Sequence, residues 1–209
     1  MTRTRGSTLL LCVASLLLPA CACSALTLKG SRRTEIDSLE RESQRRAVYA
    51  TVLREMYRDA GTLRFVVDPT RTGADYIVGR DLSESVPGLR SDTSADYRRS
   101  SQPGAMPRDL DAGLPIDWLG ADEFAALATV HPDSESSATN RRWEAFHRRF
   151  PGSSGWIGFS EVGFSIDGRQ ALVHVHGRRA SLDGAGHLVL LERTADVWRV
   201  RRRVGTSIS

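Results

Sequence analysis

The stretch WIGFSEVGFSIDGRQALVHVHGRRASLDGAGHLVLLERTADVWRVRRRV, Trp156–Val204, decides the fold. Apolar residues alternate in it with small or polar ones, and the runs break at turn-forming pairs, which is the pattern of consecutive antiparallel strands. Four strands are predicted. A two-residue loop at Asp167-Gly168, the strongest short-range hairpin signal, sets Phe164 opposite Ala171, Val162 opposite Val173 and Ser160 opposite Val175 on one apolar face. A second such loop at Ala195-Asp196 places Leu191 opposite Val200 and makes a charge pair of Glu192 and Arg199. Between these hairpins the glycine-bearing run from Gly177 to Gly186 reads as a long connection that leaves the middle register open.

The chemistry in this stretch lies on its polar face. His174 and His176 form an H-x-H pair that strand geometry puts on one side, and such pairs can hold a metal. The hairpin register sets Glu161 across from His174, where a carboxylate orients an imidazole or joins it as a ligand. His187 is the candidate third ligand. Pairing Val173 with Val189 gathers the apolar residues and turns His187 away from the other two histidines; slipping by one residue gathers the histidines and scatters the valines. Burial favours the first register and, with it, half-exposed histidines rather than a site. Ser160 in Gly158-Phe159-Ser160-Glu161-Val162-Gly163 resembles a nucleophile elbow but has Val162 where G-x-S-x-G needs glycine, on a strand that enters no helix.

The composition suits a folded domain, with 209 residues and 40% hydrophobic side chains. Of the net charge of +4, Arg3 and Arg5 belong to a leader without acidic residues, so the remainder carries about +2. Paired arginines are scattered among acidic residues, which argues against a nucleic-acid partner. Arg3 and Arg5 precede an apolar run from Leu9 to Leu18, and Leu18-Pro19-Ala20-Cys21 follows. Residues 1–20 read as a signal peptide. The ending resembles a bacterial lipobox, which implies lipid on Cys21 and, with Ala22 next, an outer-membrane destination. The alternatives are ordinary cleavage near Ala20 or Ala25, giving a soluble periplasmic or secreted protein, and an uncut anchor. Cys12, Cys21 and Cys23 are the three cysteines, so the body of the chain has no disulfide framework.

Residues 21–34 are expected to be the attachment site and a linker, and 35–209 one domain. A helix is predicted from Asp37-x-x-Glu40 to Gly61, with Tyr49, Val52, Leu53, Met56, Tyr57 and Ala60 as its stripe. Short strands are expected at Thr62–Val67 and Tyr76-Ile77-Val78. Residues 80–117, carrying Pro87, Pro103, Pro107 and Pro115, read as loosely ordered. A short helix over Asp122–Thr129 and an amphipathic one over Ala138–Arg149, burying Trp143, Phe146 and Phe150, complete the pattern; His147 on the latter reads as exposed.

From Trp143 to Val200 the chain resembles a group of uncharacterised bacterial exported proteins of lipoprotein type. The likeness is carried by Trp143, Phe146, Phe150-Pro151-Gly152-Ser153, Ser160-Glu161-Val162-Gly163-Phe164, Ala171-Leu172-Val173, Gly184, Gly186, Val189-Leu190-Leu191-Glu192 and Trp198. Relatives with cysteines in the loop have none matched here between Arg178 and Asp183. The run Val189–Val200 is also similar to the last hairpin of cystatin-like and nuclear-transport-factor-like α+β domains, which implies a curved sheet wrapped around a helix. The expectation is an α+β fold, with N-terminal helices on a curved, mainly antiparallel sheet ending in a four-strand meander. The function expected is a noncatalytic binding or envelope-structural lipoprotein with no cofactor, partnered by the membrane and by an envelope protein or small molecule. The alternatives are a hydrolase or metal-dependent enzyme using His174, His176 and Glu161, and a small-ligand pocket protein.

Overall fold

A computed structural model of the chain describes residues 21–72, 81–100, 102–129 and 137–208. The expected strand at residues 76–78 and the expected signal peptide lie outside them. Two compact units divide at residue 41, Met1–Arg41 and Glu42–Ser209. The second carries every strand among the described residues and all of the cores described below.

Helix α1 (Cys21–Met56) is followed by strands β1 (Arg64–Val67) and β2 (Thr70–Arg71), then by helices α2 (Leu82–Ser85) and α3 (Ser91–Arg99). Strands β3 (Gly104–Ala105) and β4 (Ile116–Trp118) come next, then α4 (Ala121–Ala126) with a 3-10 turn at Leu127–Thr129, and α5 (Ala138–Arg149). The meander is β5 (Ser153–Phe159), β6 (Gly163–Phe164), β7 (Gln170–Ala180), β8 (Asp183–Thr194) and β9 (Val197–Ile208). The fold is α+β. Its sheet of 7 strands runs β4-β1-β5-β7-β8-β9, with β6 also paired to β7, while β2 and β3 form a separate ribbon. β1 is parallel to both β4 and β5, and the meander is antiparallel, so the sheet is mixed.

The register follows the hydrophobic pattern wherever one face must be buried. Val173 pairs with Val189, Phe164 with Ala171 and Leu191 with Val200. Ala195 and Asp196 both have positive φ, 47 and 64, as a two-residue turn between right-twisted strands requires. Three expectations need correction. Ser165 closes on Gln170 around a wider loop than two residues, with Gly168 at φ 64. Beyond Gly163 the partner strand bulges, so that Phe159 pairs with Val175 and Ser160 donates its N–H to the His174 carbonyl. The run Gly177–Gly186 is no loop: β7 and β8 continue through it to Ala180 and Asp183, closing at Ser181-Leu182. The glycines there leave room for neighbours instead of bending the chain, since a β-carbon on Gly177 would meet the Tyr57 ring.

Both faces of the sheet are covered. On one, Val48, Tyr49, Val52 and Leu53 of α1, with Tyr57 just past its end, pack in a single buried cluster with Val162, Phe164, Val173, Val175, Val189, Leu191 and Trp198. On the other, Leu82, Val86 and Tyr97 of α2 and α3 cover Leu172, Leu188 and Leu190. Further along that face, Phe124, Trp143, Phe146 and Phe150 cover Val66 and Trp156. The helix begins at Cys21, ahead of the start expected at Asp37, and ends at Met56, leaving Ala60 exposed outside it. The largest correction concerns residues 80–117. Their isolated apolar residues are anchors: Leu82, Val86 and Tyr97 on one face, and Met106 and Ala112 on the other, are all buried. Helix α5 has the predicted bounds, with the Ser137 hydroxyl accepting the Asn140 N–H at its start.

Candidate functional site

The bulge at Ser160-Glu161-Val162 gathers the chemistry of the meander, because the extra residue turns successive side chains to places a regular strand would not reach. Ser160 is 1% exposed. Its hydroxyl oxygen accepts the His174 N–H at 2.9 Å and the Tyr97 hydroxyl at 3.2 Å, and donates to the Glu161 carbonyl at 2.8 Å. Its own carbonyl accepts the Tyr49 hydroxyl at 2.9 Å. An oxygen held in three hydrogen bonds inside the core is a structural node. The phenols are fixed likewise: burial pushes Tyr49 and Tyr97 above the ordinary tyrosine range, Tyr97 to about 12.

Glu161 is 7% exposed and does not face His174. One carboxylate oxygen accepts Arg45 Nε at 2.5 Å, and the other pairs with the Arg71 guanidinium. Arg45 also pairs with Glu42 one turn earlier on α1. Burial would push the Arg45 guanidinium down, but Glu161 and then Glu42 outweigh it, and its pKa lies above the ordinary value. The predicted juxtaposition of Glu161 with His174 is therefore corrected. The one-residue shift at the bulge brings Ser160 opposite His174 and sends Glu161 to the arginines of α1 and β2. Glu192 stands opposite Arg199 as expected, but the expected charge pair is corrected: Arg199 lies 3.6 Å from Glu55 of α1, and Glu192 lies 3.7 Å from Arg201.

His174 and His176 share a face, as H-x-H on a strand demands, with ring centroids 6.3 Å apart. That face is covered, so the expectation of two half-exposed rings is corrected for His174, which is 5% exposed. Its Nε2 lies 2.9 Å from the Thr206 hydroxyl on β9. Burial first, then the neighbouring His176 and His187, push its pKa down to about 4. His176 is half-buried over Gly158 and meets Trp156 edge to face, and burial lowers its pKa as well. His187 stands opposite Val175 and therefore on the other side of the sheet. The three imidazoles do not converge. Among the described residues no group of three or more His, Cys, Asp or Glu side chains is placed to hold a metal ion. His147 is exposed and hydrogen-bonds through Nε2 to the Arg179 carbonyl at 2.9 Å.

Cys21 is the first residue of α1. Among the described residues no helix is long and apolar enough to cross a membrane. Sequence reasoning missed Arg45, Arg71, Tyr49 and Tyr97 as partners of the bulge. Their separations from it in sequence, 116 residues for Arg45, leave no local pattern to find. Comparison of the chain with family models, with curated proteins and with solved structures finds no match in any of the three.

Proposed function

We propose that this chain is an exported envelope protein, held to the outer membrane by lipid on Cys21, whose α+β domain binds a partner without performing chemistry on it. The observation that carries the second half is the use made of the reactive side chains of the meander. Both oxygens of Glu161 are committed to arginines, the Ser160 hydroxyl has three partners, and the His174 ring is bonded to Thr206. Groups bonded in this way stabilise a fold, and moving any of them towards a substrate would break buried interactions. Support for the first half is the order of basic residues, apolar run and Leu18-Pro19-Ala20-Cys21. Each buried acyl methylene contributes about 0.8 kcal/mol, so two or more chains make a stable anchor.

Two measurements test the reading. In cells fed a labelled fatty acid, the full chain should carry label and sediment with outer membranes, and Cys21→Ala should lose both; label retained by Cys21→Ala would refute lipid attachment there. Metal analysis of the purified protein and of His174→Ala should give the same substoichiometric content. Stoichiometric metal lost in His174→Ala would replace the binding reading with a metal-dependent one.

A further inference from the structure

Helix α1 stops short of the far end of the sheet. Tyr57, just past its end, lies over Gly177, and a cavity of about 190 Å³ opens beside it between Met56 and strands β5, β7, β8 and β9. Met56, Gly177 and Ala185 form its apolar side. Tyr57, Ser154, Arg179, His187, Arg203 and, at the exposed rim, Asp183 supply its polar groups.

Those polar groups are underused, unlike those of the bulge. Ser154 is 6% exposed, yet its buried hydroxyl oxygen has no hydrogen-bond partner. His187 Nδ1 is shut off from solvent and is also unpartnered. Arg203, opposite Val189, forms no ion pair among the described residues. Arg179 by contrast is anchored, to Asp59 at 2.9 Å and to the Ser154 carbonyl at 3.3 Å, which holds its charge beside the cavity. Neither atom is open to the cavity, so the group of the lining free to meet a ligand is the Arg203 guanidinium.

We infer that this cavity is a binding site for a small organic carboxylate. The lining offers the Arg203 guanidinium, without an ion-pair partner among the described residues, and a hydroxyl donor on Tyr57, which suit an acceptor-only anionic head. The apolar side receives a short hydrocarbon part. The volume is that of about six waters at about 30 Å³ each, which limits the ligand to roughly six to ten heavy atoms. Asp183 is exposed, so solvent screens its repulsion of the head. Burial, then Arg203, lowers the pKa of His187; a carboxylate lodged between the ring and Arg203 opposes the latter effect and raises it again. The inference rests on the domain being a binding module and is independent of lipid attachment, so the two can fail separately.

The test is a titration of the full chain with sodium benzoate, and separately with inorganic phosphate, followed through the ring nitrogens of His187 by NMR. Benzoate should produce a saturable shift in the millimolar range and raise the pKa of His187, and phosphate should not. Arg203→Gln should weaken benzoate binding at least about tenfold, the loss expected when a charged hydrogen-bond partner is removed. Ala185→Leu, which fills the cavity, should abolish it. No saturable shift with benzoate, a response to phosphate alone, or binding undiminished in both variants would each overturn the assignment. Because Arg203 is exposed, its replacement leaves the buried clusters intact, and unchanged spectra elsewhere in the molecule show that the variant is folded.

Discussion

Replacing Glu161 by glutamine keeps the shape of the side chain and removes its charge, leaving Arg45 and Arg71 facing a neutral amide. Their side chains are 16% and 15% exposed and that of Glu161 is 10%, so solvent replaces little of what is lost. Removing one member of a buried ion pair costs about 3–5 kcal/mol, because the remaining charge stays desolvated. Arg45 keeps Glu42, which offsets part of that, and the expected loss is about 3 kcal/mol. Urea unfolding followed by tryptophan fluorescence measures it. With a slope of about 1–3 kcal/mol per molar urea, the midpoint should fall by about 1–3 M. Arg46→Ala serves as the control, since its pair with Asp109 is exposed at 41% and 67% and should be worth under about 1 kcal/mol. If Glu161→Gln shifts the midpoint no more than Arg46→Ala does, the carboxylate is not the structural centre described here.

Three other outcomes follow from the same geometry. Ser160→Ala orphans the His174 N–H and the Tyr97 hydroxyl, and should cost about 2–4 kcal/mol in the same unfolding assay. A double substitution, Ala195→Asn with Asp196→Gly, relieves two residues at positive φ and should stabilise the protein by about 1 kcal/mol, read as a raised melting temperature; the Arg193 pair it removes involves an Asp196 that is 88% exposed. The depressed pKa of His174 makes stability depend on pH. An unfolded chain takes up its proton near pH 6.5, whereas the folded one resists until about 4, so stability is full above 6.5 and falls as pH drops through that window. The slope should be shallower in His174→Asn, and an identical slope in the variant would show that other groups set it.

The meander was legible because one buried face fixes each pairing. Val173 opposite Val189 followed from the cost of scattering valines, and Leu191 opposite Val200 from the turn between them. Helix α5 was legible from its aromatic spacing. The bulge was not, since nothing in Ser160-Glu161-Val162 distinguishes an inserted residue from one in register, and a one-residue shift there was enough to misplace Glu161. Helices α2 and α3 were hidden because each buries so few apolar residues, Leu82 in α2 and Tyr97 in α3, within polar sequence. Proline and serine content was read as looseness where single anchors hold the chain. The cavity was beyond reach for a different reason: it depends on where α1 ends relative to the sheet, and its lining is drawn from five elements distant in sequence.

Ser160 receives Tyr49 from one side of the sheet and Tyr97 from the other, at its carbonyl and its hydroxyl. Neither covering layer can lift away alone without stranding a polar atom that the opposite layer cannot satisfy. Partial opening at this point is thereby made nearly as costly as complete unfolding. The amide proton of His174, bonded to the same hydroxyl, should therefore exchange with solvent only when the whole molecule comes apart, and its protection factor should equal the global stability.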